Sequence, residues 1–269
     1  MSAGETTDGA VTAAAERYRP HAILMNLFAW PALVVWTLVG IVLSPFLYLG
    51  WKVVTGWDVG RITRHLIWVY GRVWLLLFAP FVHFRREGLD GAFDAPPGIL
   101  IVNHLSFFDT YCMGLLPIHD INFVVRAWPF RKLFFYTAFM RNAGYLDIES
   151  DGWDDSAAIC REVMARNGWL LFFPEGHRSR DGQLQHFYSG AFRAAIELGV
   201  PLIPLCITGT DRLMPPGRHW LLPSRVCLRA LAPVDPRDFA GDTGHREMRK
   251  HVKALMAKNI DEMRSYNAG

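Results

Sequence analysis

Hydrophobic and polar positions divide the chain into two unlike parts. From Ile23 to Trp51 no side chain carries a formal charge, a run longer than the roughly 20 apolar residues needed to cross a hydrocarbon core. Trp30, Trp36, Tyr48 and Trp51 stand in it as interfacial anchors do, and Pro31 and Pro45 lie inside it. Arg17 and Arg19 precede the run, and Lys52, Arg61 and Arg64 follow it. Basic charge on both sides gives no orientation, so a single span and a re-entrant hairpin broken near a proline or Gly40 both remain open. A second apolar helix is expected from about His65 to Val82, ending before Arg85 and Arg86. Its length is marginal for a span and suits either a buried packing helix or a helix lying in the membrane interface, with the two arginines at headgroups.

After Arg86 short apolar runs alternate with amphipathic stretches. Strands are expected at Ile99–Val102, Asn122–Val125, Trp169–Phe173, Leu202–Thr208 and Val226–Ala230. Helices are expected at Phe108–Leu116, Arg131–Met140, Asp154–Asn167, Gly190–Leu198 and near His245–Met263. Gly168 and Gly199 follow two of them, where a residue in left-handed conformation stops a helix. The alternation predicts an α/β fold: a mixed, mostly parallel sheet flanked by helices and preceded by N-terminal membrane helices. Residues 1–20 are rich in Ala, Thr and Gly and read as a disordered N-terminus. Residues 21–84 then form membrane-associated helices, and 85–269 form one catalytic domain.

Composition sharpens this division. The chain has 269 residues, of which 51% are hydrophobic, and a formal net charge of +3. So small a charge gives no support to nucleic-acid binding and suits a protein near anionic headgroups. The apolar run is too long for a signal peptide and lacks a small-residue cleavage site after it. Cys112, Cys160, Cys206 and Cys227 are widely scattered, which suggests neither a disulfide framework nor a zinc pattern and points to a reducing compartment.

Two polar clusters follow apolar strands, where ligands usually bind in covered sheets. In the first, Asn103 and His104 end the run from Gly98, and Asp109 follows. On a continuous α-helix His104 and Asp109 would lie about 140° apart and could not meet. In a strand-to-helix turn, with Ser106 near the helix start, Asp109 can fold back onto the imidazole and leave the other ring nitrogen as a general base. The alternative is a capping box over Ser106 and Asp109 with a satisfied buried histidine. The second cluster, Phe172 to Arg180, puts Glu175, His177, Arg178 and Arg180 in one loop. A guanidinium there presents the planar fork of donors that holds a phosphate; the plain alternative is a solvated polar loop.

Taken together, three blocks resemble the glycerophospholipid acyltransferase family typified by lysophosphatidic acid acyltransferase. Asn103-His104-Leu-Ser106-Phe-Phe-Asp109 is similar to its N-H-x-S-x-x-D signature, Phe173 to Ser179 to its F-P-E-G-T-R-S block, and Val200 to Pro204 to its V-P-I-V-P block. The resemblance implies a membrane-bound O-acyltransferase that moves a fatty acyl group from acyl-CoA or acyl carrier protein to the hydroxyl of a lysophospholipid, without metal or other cofactor. It implies His104 as general base, Asp109 as its orienter, and Asn103 and Ser106 in support. By similarity, Glu175, Gly176, Arg178 and Ser179 position the acceptor.

Two departures bear on the acceptor. The family's G-x-I-F-I-D-R block aligns with Gly144 to Ser150, where serine replaces arginine and Asp147 and Glu149 add carboxylates. A phosphate monoester then needs compensation from Arg126 or Arg178. His177 also stands where threonine is usual. Because acyl thioesters are cytosolic, the catalytic domain is expected on the cytoplasmic face of the membrane. A metal-dependent lipid hydrolase using His104, Asp109, Glu175, His177, His119 and Asp120, and an inactive membrane scaffold of the same fold, are the competing readings.

Overall fold

Runs of consecutive apolar residues become central strands here because both faces of the sheet are covered, so side chains pointing to opposite sides are buried alike. The computed structural model describes residues 19–94, 96–125, 134–147, 153–215, 217–239 and 241–267. The segment expected to be disordered lies outside these residues except for Arg19 and Pro20, which begin the first helix. Strands β2 (Ile99–Val102), β5 (Trp169–Phe172) and β6 (Leu202–Thr208) are buried at every position. With β1 (Val82–Glu87), β3 (Ile121–Val125), β4 (Leu146–Asp147) and β7 (Ser224–Ala230) they form a seven-stranded sheet in the order β1-β7-β6-β2-β5-β3-β4. Only the β6–β7 pairing is antiparallel, so the expected mixed, mostly parallel sheet is present.

Alternation along β2 divides the core. Leu100 and Val102 join Met25, Trp74 and Phe78 on one face, whereas Ile99 and Ile101 join Phe187, Phe192, Met248, Val252 and Met256 on the other. The first face is covered by α1 (Arg19–Thr55) and α2 (Val59–Phe78), and the second by α6 (Gly190–Leu198) and α8 (Gly244–Asn267). Between them in the chain lie α3 (Asp109–Cys112) with a following 3-10 turn (Met113–Leu115), α4 (Phe134–Asn142), α5 (Trp153–Ala165) and α7 (Thr210–Leu213).

The apolar N-terminal run is one unbroken helix that continues through Pro31, Gly40 and Pro45, so the re-entrant hairpin is not formed. By length and composition α1 could cross a membrane. The second helix starts earlier than its apolar content suggested, at Val59, because the carboxylate of Asp58 accepts from the backbone N–H of Arg61 (2.9 Å) and caps it. It ends at Phe78, and the chain has entered the sheet by Val82. Arg85 and Arg86 therefore stand on an edge strand rather than at a helix end; charge on such an edge discourages further pairing.

The two helices run back beside one another. Thr37 Oγ1 meets Tyr70 Oη at 2.7 Å, Tyr48 Oη meets Thr63 Oγ1 at 2.5 Å, and Trp51 stacks on His65. Near its start, α1 is fastened to the domain through Asn26 and Leu221. Both ends of α1 thus rest on the same body of protein, while Leu24, Leu27, Val34, Leu38, Val42, Phe46 and Leu49 are exposed along its outer face. The buried guanidinium of Arg64 ties α2 to the sheet: Nε donates to Asp120 Oδ1 (2.5 Å) and Nη1 to the carbonyl of Ala143 (2.8 Å). After α5 the left-handed residue is Asn167 (φ 58°), one position before the expected Gly168.

Candidate active site

His104 follows the C-terminal end of β2, and the chain turns at once into α3. Asp109, the first residue of α3, folds back over that turn and is fully buried. Its Oδ2 accepts from His104 Nδ1 (2.8 Å) and from the backbone N–H groups of Leu105 (2.6 Å) and Ser106 (2.9 Å). Its Oδ1 accepts from the hydroxyl of Thr210 (2.5 Å). An ionised carboxylate only accepts, so Nδ1 is the donor in this contact, and Nε2 is the ring nitrogen that Asp109 does not hold. One oxygen of Asp109 thus serves the ring and the backbone of the turn together.

Thr210 went unnoticed in the sequence. It reaches Asp109 because β6 lies beside β2 and the chain leaves β6 through Gly209. Gly209 has φ +88°, and a Cβ there would lie 1.9 Å from the carbonyl oxygen of Arg225. Glycine alone permits both the left-handed turn and so close a crossing over β7. The legible signal was position: a Gly-Thr pair directly past a buried strand that begins within the Val200–Pro204 block.

The loop after β5 supports His104 from below. Glu175 is fully buried; its Oε1 accepts from the backbone N–H of His104 (2.7 Å) and its Oε2 from that of Gln185 (2.8 Å). Burial pushes this carboxyl above its ordinary range, against the pull of those two donors. The backbone N–H of Ser179 donates to the carbonyl of His104 (2.8 Å), so the loop holds that residue's backbone on both sides. Phe173 stacks on the imidazole at 4.3 Å between ring centroids. His104 keeps 16% of its side chain exposed, enough for one ring edge to meet a substrate.

The remaining expected residues divide by burial. Asn103 is buried and bridges Ile207, accepting from its N–H (2.7 Å) and donating to its carbonyl (2.9 Å), which locks β2 to β6 beside the histidine. Ser106 is buried in the turn. Ser179 is also buried, with its hydroxyl within 2.9 Å of Asp181 Oδ1 and 2.7 Å of the Gln183 carbonyl. Glu175 and Ser179 are thus committed within the protein, where sequence reasoning had them touch the acceptor. Gly176 closes the turn with φ +68°. Arg178 is exposed and has no hydrogen-bond or ion-pair partner among the described residues. Arg126, Glu149 and Ser150 lie outside the described residues.

The donor set of the hydrolase reading is not assembled. His119 and Asp120 precede β3, whereas His104 follows β2, and the two strands run the same way through β5. They therefore sit at opposite ends of the sheet. Asp120 pairs with Arg64, and His119 packs among Trp57, His65 and Trp68.

Comparison with known proteins bears on this geometry. A family model described as Acyltransferase matches residues 83–208. The chloroplastic 1-acyl-sn-glycerol-3-phosphate acyltransferase LPAT1 of Arabidopsis thaliana is 30% identical over 146 residues, covering 53% of this chain and 41% of that protein. The 1-acyl-sn-glycerol-3-phosphate acyltransferase of Salmonella typhimurium is 38% identical over 107 residues, covering 40% of this chain and 42% of its own length. The chain thus spans less than half the length of these two relatives. The crystal structure of the 1-acyl-sn-glycerophosphate acyltransferase PlsC from Thermotoga maritima superposes with a TM-score of 0.71 at 22% identity, covering 90% of this chain and 97% of that one, a likeness of fold.

Proposed function

We propose that the chain is an acyltransferase of the family whose model its residues 83–208 match, and that it esterifies the free hydroxyl of lysophosphatidic acid or a closely related lysophospholipid. The acyl donor is acyl-CoA or acyl carrier protein. The observation that carries this reading is the buried Asp109 carboxylate, whose four donors hold the His104 ring with Nε2 free.

In the proposed reaction Nε2 takes the proton of the acceptor hydroxyl as its oxygen attacks the thioester carbonyl. The tetrahedral intermediate then expels the thiolate, the C–S bond breaks, and the imidazolium returns the proton to sulfur. The products are an ester and a free thiol, and neither metal nor redox cofactor is required. Asp109 fixes the tautomer and stabilises the positive ring. The N–H groups of Leu105 and Ser106 are spent on Asp109, so the oxyanion draws its donors from elsewhere. Arg178 supplies an exposed guanidinium for the acceptor phosphate, with Gly176 shaping the turn that carries it. Glu175 and Ser179 act on the acceptor only through the backbone they hold, and Arg126 is a second cation for the same phosphate.

The exposed apolar face of α1 seats the protein on a membrane, which brings the site to a lipid acceptor, with the catalytic domain on the cytoplasmic side where acyl thioesters occur. The test is an assay of the purified chain with acyl-CoA or acyl carrier protein and a panel of lyso-lipids. Ester formation with stoichiometric thiol release on lysophosphatidic acid is expected. Absence of transfer to every acceptor from both donors refutes the activity and leaves the scaffold reading.

A further inference from the structure

Outside α1 and α2, the large apolar side chains that stand exposed among the described residues are Tyr188 and Trp220. Trp220 is 47% exposed and lies in the loop between α7 and β7, directly after the exposed Arg218 and His219. The next residue, Leu221, is buried, and its backbone is held by the side chain of Asn26 in α1. Asn26 Oδ1 accepts from the Leu221 N–H (2.9 Å) and from Trp30 Nε1 (3.1 Å), while Nδ2 donates to the carbonyls of Leu221 (2.8 Å) and Ala22 (2.7 Å). Every donor and acceptor of that buried amide is used, which makes the junction a fixed one. At its base the loop is closed by the Leu222 N–H donating to the Leu213 carbonyl (2.9 Å).

The loop is thereby pinned beside the first turns of α1, where Leu24, Leu27 and Phe28 are exposed. A half-exposed indole next to an arginine, continuous with an uncharged apolar helix face, has the chemistry of the headgroup level of a bilayer: an apolar body, a polar N–H and a cation for lipid phosphate. We propose that the loop segment from Gly217 to Pro223 is a second lipid-contacting element, which seats Trp220 at the headgroup–acyl boundary and Arg218 among anionic headgroups. This rests on the reading of the outer face of α1 as a membrane surface and extends the contact beyond that helix.

The four native cysteines are buried, so a single introduced cysteine can be labelled with an environment-sensitive fluorophore in the 269-residue chain. Three variants suffice: W220C, L38C on the outer face of α1, and R237C, whose exposed parent residue precedes α8 on the other side of the sheet. Each is reconstituted in vesicles of phosphatidylethanolamine with phosphatidylglycerol, with or without lipids brominated near the glycerol end of the acyl chains. The label in W220C is expected to lose emission to brominated lipid as the label in L38C does, and more to shallow than to deep bromines. The label in R237C is expected to stay unquenched. A label in W220C that behaves like that in R237C, while L38C is quenched, overturns the loop proposal and leaves the α1 reading standing. An unquenched label in L38C removes the α1 reading and this proposal with it. A label in W220C shielded from aqueous iodide yet blind to brominated lipid also overturns it, in favour of a second protein surface over the loop.

Discussion

Replacing Thr210 by valine removes one hydroxyl and keeps the side-chain shape. Thr210 and Asp109 are both fully buried, and the hydroxyl is 2.5 Å from Oδ1, whose only donor it is among the described residues. Hydrogen bonds to charged groups contribute about 1.5–3 kcal/mol, and a buried acceptor left unpaired costs a similar amount. A loss of about 2 kcal/mol follows, which for a domain of this size is roughly 4–8 °C in Tm. The carboxylate keeps its three donors on Oδ2 but can swing about them, so the imidazole loses alignment. A fall in kcat of roughly ten- to a hundredfold is expected for a misdirected base. KM should stay near its original value, because Thr210 has no surface with which to meet substrate. The assay is steady-state thiol release from acyl-CoA with lysophosphatidic acid, alongside thermal melting of the same preparation. Thr210→Ser restores the hydroxyl and should restore most of both quantities. A Thr210→Val protein with unaltered kcat and Tm would show that Oδ1 needs no donor, and the positioning role would fall.

His104→Ala should lower kcat by about 10²–10⁴-fold with the circular dichroism spectrum unchanged, since the base is lost and the turn is kept; near-normal turnover would sink the mechanism. Glu175→Gln keeps the shape but turns an NH₂ toward one of two backbone N–H groups, a cost of about 2 kcal/mol in denaturant titration with a fall in kcat. Asp120→Ala leaves the Arg64 guanidinium, whose side chain is 1% exposed, without its main partner; a loss of about 3–5 kcal/mol is expected, partly recovered by adding Arg64→Met. Burial, then the neighbouring His65, holds His119 below its ordinary value of 6.5. A base depressed in the folded state binds fewer protons than in the unfolded one, so its contribution to stability is lost as pH falls below 6.5. Tm should drop over that range less steeply in His119→Gln than in the parent, and parallel curves would contradict the assignment.

The contact between His104 and Asp109 was legible because it is local. Five positions separate His104 from Asp109, and a strand-to-helix turn between them is dictated by an apolar run that ends in polar residues. The central strands were legible for a similar reason, since burial on both faces writes itself as an unbroken apolar run. β1 was not, because an edge strand has one covered side and its charged residues Arg85, Arg86 and Glu87 imitate the polar end of a helix. The apolar length of α1 was plain, but its course was not. Side chains such as Asn26 and Tyr48 decide whether a helix of that kind leaves the domain or lies along it, and their partners are remote or on the neighbouring helix.

The residues that hold the pair belong to the same category. Glu175 meets the N–H of His104 from 71 positions away, and Thr210 meets Asp109 from 101 positions away. By itself the amino-acid sequence determined the pairing of His104 with Asp109, the covered sheet and the apolar N-terminal run, all of which depend on the spacing of neighbours. Tertiary structure alone decided that Glu175 and Ser179 face inward, that Thr210 completes the shell around Asp109, and that both ends of α1 rest on one domain. The reason is physical: a buried carboxylate takes its donors from whichever strands the sheet order places beside it, and that order is set by packing, not by distance along the chain.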